Sequence, residues 1–246
     1  MAETPDVSIV VPLYDEESSV RAVAKGLIGA FAHEKTTFEI VLVNNGSRDR
    51  TEGEIDKMAK AHPGVVVKVG VSVNRGFGHG VAAGLKVCKG RLVGYMVGDL
   101  QSDPKDASRI FYVAAHNNLS IAKGYRATRR DPAHRSFLSR MYNRLFRALY
   151  GINVRDVNGT PKIFPSRYLG KLDLVSRQSF FDSELLIKLH RLGCRVIEVP
   201  VAGLERPTGS SKVKLSVVLD LFCSLILFRL VGYRRWRSKV RCTTIS

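Results

Sequence analysis

Acid is scarce in this 246-residue sequence. Twenty-two Asp and Glu stand against 39 Lys and Arg, a formal net charge of +17. That imbalance excludes a charge-neutral surface and predicts an anionic partner: a phosphate-bearing substrate, an anionic membrane surface or nucleic acid. Cysteine is scarce too. Cys88, Cys194, Cys223 and Cys242 lie far apart with no metal-ligand spacing, and they read as reduced thiols in a cytosolic setting. Long apolar runs are missing. A spanning helix needs roughly 18 to 20 uninterrupted apolar residues; the nearest stretch, Leu215 to Tyr233, is broken by Asp220 and Arg229. The opening "MAETPD" runs straight into a strand pattern, so no signal peptide is expected. Repeats, low-complexity segments and a Walker loop are all absent from the sequence. Hydrophobic residues make up 45% of the chain, enough for a sizeable core and against disorder.

What is present alternates. "VSIVVPLY" (Val7 to Tyr14), Phe38 to Val43, Val65 to Ser72 and Leu92 to Val97 are short apolar runs rich in β-branched residues, the pattern of buried strands. Between them, Glu16 to Phe31, Thr51 to Ala61 and Gly80 to Cys88 carry helical periodicity. Strands alternating with helices predict βαβ units and a mostly parallel sheet. Ligands bind such sheets beyond the carboxyl ends of the strands, and the polar turns fall there. The second half is basic: Lys123 to Arg147 holds eight Lys and Arg and one acid, Asp131. A further helix (Phe180 to Leu192), a strand (Cys194 to Val201), the loop "RPTGSSK" and the apolar helix Leu215 to Tyr233 follow.

Four turns hold the candidate chemistry. In "VVPLYDEE", Pro12 and Tyr14 read as a strand end and Glu16 as a helix opener, or as the floor for a nucleotide base. In "VNNGSRDRT" the residues form a turn with a helix cap; alternatively Asn45, which can donate and accept, meets a base or ribose. "NRGFGHG" lacks the third glycine of a dinucleotide fingerprint, since Val81 stands there, and reads as a flexible turn. In "YMVGDLQSDP", Asp99 and Gln101 flank Leu100. With Leu100 turned to the core, carboxylate and amide face the cleft together, hard ligands suited to Mg²⁺ or Mn²⁺. A solvated acidic turn is the plain alternative.

These four stretches, in this order and at these strand ends, resemble family 2 glycosyltransferases of the GT-A fold. The likeness is closest to the dolichyl-phosphate mannosyltransferase and polyprenyl-phosphate glycosyltransferase branch. It continues through "AKGYR", "LSRMYNRL", "DVNGTPKIF", "FDSELLIKLHRLG", "VIEVPV" and "ERPTGSSK", and so covers roughly Val7 to Lys212. The resemblance implies an α/β GT-A sheet flanked by helices over residues 1–212. Residues 213–246 would add an amphipathic helix and a basic tail. It implies that Pro12, Tyr14, Glu16 and Asn45 hold base and ribose, and that Asp99 and Gln101 hold the metal on the diphosphate. Arg126, Arg140, Arg206, Ser211 and Lys212 would then meet the acceptor phosphate and the diphosphate, a task that suits the arginine fork. Two positions depart from the pattern. Val97 replaces the first Asp of Asp-x-Asp, and Asn45 replaces an Asp at the base.

The expected activity is inverting transfer of a hexose from a nucleotide diphosphate sugar to a polyprenyl phosphate. The acceptor oxygen is already anionic, so no strong base is needed, and Asp182 and Glu184 are expected to be structural or acceptor-facing. The apolar helix with "RRWRSKVR" behind it has the composition of an interfacial anchor on anionic lipid, which predicts a peripheral protein on the cytoplasmic face of a membrane. Three alternatives stay open: a soluble transferase with a non-lipid acceptor, a nucleotide-sugar-binding protein without turnover, and a nucleic-acid binder. The last has charge in its favour but no recognised module, so no specific nucleic acid is expected.

Overall fold

The computed structural model describes residues 4–32, 36–117, 119–128, 133–204 and 215–232. In chain order the elements are β1 (Val7–Leu13), α1 (Val20–Ala32), β2 (Phe38–Asn45), α2 (Thr51–Ala61), β3 (Val66–Val71), α3 (Phe77–Leu85), β4 (Leu92–Tyr95), α4 (Pro104–Ala115), β5 (Ser120–Thr128), α5 (Ala133–Tyr150), β6 (Lys162–Pro165), α6 (Leu169–Leu172), α7 (Phe181–Arg191), β7 (Arg195–Ala202) and α8 (Leu215–Leu227). The strands form one sheet in the order β3-β2-β1-β4-β6-β5-β7. Every pair is parallel except the two made by β6, which runs against β4 and β5. The expected α/β, mostly parallel sheet flanked by helices is what the chain forms.

Each face of the sheet carries its own helical layer. Val7, Ile9, Val11 and Leu13 of β1 pack with α1, α2 and α4, while Val10, Val41, Val43, Val93 and Tyr95 pack with α3, α5, α7 and α8. A strand covered on both sides reads as an unbroken apolar run, and all seven residues of β1 are buried. Burying one such side chain is worth about 1.5–3 kcal/mol. The layers therefore hold the sheet, and the loops at its carboxyl end are left to carry polar groups.

Several elements differ from the sequence pattern. The β1 strand continues through Pro12 to Leu13, so Pro12 does not end it. Val10 accepts from the Met96 N–H, and Pro12 faces that same side two residues on, beyond the last β4 pair at Val10↔Tyr95. No ladder bond is lost there. The α1 helix starts at Val20 rather than Glu16, because residues 15–17 bind the next loop instead. Arg126 belongs to strand β5. Neither β5 nor β6 shows a clean alternation: each contains a fully buried lysine, Lys123 or Lys162.

At the C-terminal end, α8 is followed by a π-helical turn, Phe228–Gly232. Leu225 and Phe228 are buried in the core. The outer side is mixed: Leu219, Ile226, Leu227, Leu230 and Val231 are exposed there, together with Asp220 and Arg229. Among the described residues no helix is long and apolar enough to cross a membrane.

Candidate active site

The sheet register brings the two halves of the chain together. Tyr95 of β4 pairs with Lys162 of β6, and Lys162 pairs with Lys123 of β5. The β4 and β5 strands point the same way, so Asp99, four residues past Tyr95, and Arg126, three past Lys123, emerge at one end of the sheet. The ends of β1 and β2 lie beside them.

The loops after β1 and β2 are tied into one unit. Asp15 donates its N–H to Ser47 Oγ (3.2 Å) and accepts from the Arg48 N–H at Oδ1 (2.8 Å). Glu16 N–H reaches Thr51 Oγ1 (2.9 Å), and Glu17 N–H reaches Asp49 Oδ2 (3.1 Å). The Asp15 backbone is left-handed, φ 52°, which turns the chain into this exchange. Burial alone would raise the Asp49 carboxyl, but the Thr51 hydroxyl and the N–H groups of Thr51 and Glu17 hold it below its ordinary value. The expected cap of α2 thus comes from Asp49, one residue before the N-cap position Arg50.

Asn45 is 3% exposed. Its Nδ2 donates to the Gly76 carbonyl at 3.1 Å, while Oδ1 has no hydrogen-bond partner among the described residues. The glycines of "NRGFGHG" are there for close approach rather than flexibility. A Cβ on Gly80 would lie 3.0 Å from both Pro12 Cβ and Asn45 Cγ. Gly76 has φ 110°, and a Cβ there would lie 2.5 Å from the Arg177 carbonyl. Pro12, Asn45 and α3 therefore form one packed wall, with Tyr14 and Glu16 half-buried at its edge.

At the end of β4, Gly98 packs under Leu13 and accepts from Ser19 Oγ at 2.7 Å. Asp99 follows, half-buried, and its Oδ1 accepts from the Gln101 N–H at 3.1 Å. Leu100 adopts a left-handed φ of 61° and packs against the core. The Gln101 side chain is exposed. Asp103, the last polar residue in this turn, caps α4 by accepting from the Lys105 N–H. Among the described residues no three of His, Cys, Asp and Glu gather as a metal cage. One hard carboxylate fits a Mg²⁺ or Mn²⁺ whose remaining ligands are phosphate and water, the usual way Mg²⁺ is held.

On the basic side, Arg126 makes a two-point contact with Asp156: Nε to Oδ2 (2.8 Å) and Nη2 to Oδ1 (3.1 Å). Arg140 is exposed on α5. That helix is pinned by Tyr142 to Ser183 and by Asn143, whose Oδ1 accepts from the Val157 N–H. Arg206, Ser211 and Lys212 lie outside the described residues. The last described residue before them, Leu204, donates its N–H to the Gln101 carbonyl at 3.1 Å.

Asp182 and Glu184 are structural. Asp182 accepts from Tyr95 OH (2.6 Å) and from buried Lys162. Glu184 pairs with Lys188 and accepts the N–H groups of Val175 and Ser176. Asp156, Lys123 and Glu198 went unassigned in the sequence. The available signal was a lysine inside the apolar strand "SIAKGY" and an acid closing a basic stretch.

Comparison with known proteins matches this architecture. The family model described as Glycosyl transferase family 2 covers residues 8–173. The undecaprenyl-phosphate 4-deoxy-4-formamido-L-arabinose transferase of Edwardsiella ictaluri is 32% identical over 222 residues, 89% of this chain and 66% of that protein. The dodecaprenyl-phosphate galacturonate synthase of Rhizobium johnstonii is 28% identical over 231 residues, 91% of this chain and 68% of that protein. The chain thus spans about two thirds of the length of these relatives. Among solved structures, glucosyl-3-phosphoglycerate synthase from Mycobacterium tuberculosis, in complex with Mn²⁺, UDP and glucosyl-3-phosphoglycerate, superposes with a TM-score of 0.70. It is 15% identical, and the match covers 92% of this chain and 80% of that one. At that identity the likeness is one of fold.

Proposed function

The chain belongs to glycosyl transferase family 2, and from that membership we propose that it transfers a sugar, with inversion, from a nucleotide diphosphate sugar to a polyprenyl phosphate. The observation that carries this reading is the register row Tyr95, Lys162, Lys123, which brings a carboxylate loop and a clamped arginine to one end of the sheet. Relatives named for undecaprenyl- and dodecaprenyl-phosphate support a dolichyl- or undecaprenyl-type acceptor. Their sugars, a formamido-arabinose and galacturonate, differ from each other, so the proposal fixes the acceptor and leaves the sugar open.

The chain's residues divide the work. Pro12, Tyr14, Glu16 and Asn45 hold base and ribose. Asp99, with Gln101 beside it, would hold a Mg²⁺ or Mn²⁺, which would supply charge neutralisation at the leaving diphosphate. Arg126 and Arg140, joined by Arg206, Ser211 and Lys212, hold the acceptor phosphate in line with the anomeric carbon. An acceptor phosphate oxygen forms the new C–O bond there, the bond to the diphosphate breaks, and its electron pair leaves with the nucleoside diphosphate. No proton is moved, so no base is required. The commitment of Asp182 and Glu184 to buried ion pairs supports that economy. Positioning and fixed positive charge supply the rate.

Residues 1–212 serve as the transferase unit and 213–246 as a membrane-facing appendage. The exposed apolar side of α8, followed in sequence by "RRWRSKVR", supports peripheral attachment to the anionic cytoplasmic face of a membrane. The test uses purified protein, a panel of nucleotide sugars, Mg²⁺ or Mn²⁺ and a short-chain polyprenyl phosphate, read by mass spectrometry. A glycosylated lipid phosphate with one donor is expected. Nucleotide binding without product on any lipid phosphate would overturn the reading in favour of another acceptor or a binding protein.

A further inference from the structure

We infer that Asp156 is a positioning residue for the transfer, its buried carboxylate fixing the Arg126 guanidinium at the acceptor end of the cleft. This rests on the acceptor role proposed for Arg126. Asp156 is 2% exposed, yet its side chain touches an arginine that is 36% exposed. Oδ2 accepts both the Nε–H and the backbone N–H of Arg126, and Oδ1 accepts from Nη2. A two-point fork of this kind fixes the plane of a guanidinium as well as its place.

The clamp is itself held from three directions. From β7, Glu198 accepts the N–H groups of Arg155 (2.7 Å) and Asp156 (3.2 Å). From β5, the fully buried Lys123 donates to the Asp156 carbonyl and to Glu198 Oε1. From α5, Asn143 accepts the Val157 N–H, and Arg140 lies one turn back on that helix. One short turn therefore fixes Arg126 and ties down the helix that carries Arg140.

A plain structural ion pair would not need the strand to bend. Here the β5–β7 register shifts between Arg126 and Thr128, immediately after the residue being clamped. Bulges of this kind re-aim a side chain. Burying a carboxylate is costly; set against an arginine that must meet an anion, it fixes in advance a side chain that binding would otherwise have to order.

The test is a cycle of Asp156→Asn, Arg126→Ala and the double variant. It reads KM for a short-chain polyprenyl phosphate, KM for the donor, and melting temperature. Asp156→Asn is expected to lower kcat/KM for the acceptor roughly tenfold or more with the donor KM unchanged, and the double variant to be no worse than Arg126→Ala. Losses that multiply in the double variant, or a donor KM that rises with them, would overturn the inference and make Asp156 a structural group. Should Asp156→Asn fail to fold, Asp156→Glu keeps the charge but displaces the fork. A raised acceptor KM is expected, and a wild-type acceptor KM would overturn the inference. Wild-type protein that neither binds nor glycosylates the lipid phosphate would remove the acceptor reading, and this inference with it.

Discussion

The Asn45 side chain gives its N–H to the Gly76 carbonyl at 3.1 Å, and this leaves its buried Oδ1 without a partner among the described residues. An unmet buried acceptor costs about 1–3 kcal/mol, and a bound base or ribose can meet it. Asn45→Ala is expected to weaken nucleoside diphosphate binding by roughly tenfold, about 1.4 kcal/mol, while the protein stays folded. Isothermal titration with a panel of nucleoside diphosphates checks this. Unchanged affinity across the panel would take Asn45 out of the site.

The proposed metal ligand is Asp99, with Val97 two residues before it and Asp103 committed to capping α4. Asp99→Ala is expected to lower kcat/KM roughly a hundredfold or more and to abolish Mn²⁺ binding in the presence of nucleoside diphosphate, seen as loss of the protein-bound signal by electron paramagnetic resonance. Val97→Asp adds a second carboxylate and is expected to tighten Mn²⁺ binding. Normal turnover in Asp99→Ala would refute the assignment.

Lys123 gives the protein a pH signature. Burial, together with neighbouring Lys162, pulls its ammonium down to about 8, against the favourable charges of Glu198 and Asp156. The unfolded chain keeps this proton up to the ordinary lysine range near 10.5, so between those values the unfolded state binds more protons and stability rises with pH. The gain is on the order of 3 kcal/mol at most. Half-buried Cys88 and buried Cys194, both pushed up to about 12 by burial, act in the opposite sense above their ordinary value. The measurement is therefore a difference: denaturant unfolding of wild type against Lys123→Met from pH 7.5 to 10. The wild type is expected to gain relative to the variant across that window. Parallel curves would show that Lys123 keeps an ordinary proton affinity.

Leu227 stands exposed at the end of α8, and Leu230 and Val231 on the π-helical turn that follows it. Burying one leucine in an apolar phase is worth about 1.5–3 kcal/mol, so Leu230→Asp is expected to cut binding to anionic vesicles at least roughly tenfold. Flotation with phosphatidylglycerol-rich and neutral vesicles reads this directly. Equal flotation of variant and wild type would remove this face from the membrane contact.

The sheet was legible in the sequence because β1, β2, β3 and β4 are short apolar runs separated by polar turns. The boundaries that slipped did so for tertiary reasons. Glu16 and Glu17 look like a helix start, but their backbone N–H groups are used by the β2 loop. The β5 and β6 strands were hidden because a lysine in a strand reads as exposed, and only the carboxylates of Glu198 and Asp182, from elsewhere in the chain, make its burial possible. The same holds at the site. Asp99, Asn45 and Arg126 announce themselves by residue type at strand ends, whereas Asp156 acquires its place through Lys123, Asn143 and Glu198, on three separate elements.

The row of Lys162 and Lys123 across adjacent strands has a consequence for how this sequence can drift. Each lysine answers a carboxylate on a distant segment, Lys162 to Asp182 and Lys123 to Glu198. Losing either member alone leaves a bare charge inside the protein, which costs more than the pair contributes. Change at these positions is therefore bound to come in couples: a descendant that trades Lys162 for an apolar residue should have shed Asp182 too. The middle of the sheet behaves as two heritable units rather than four independent letters.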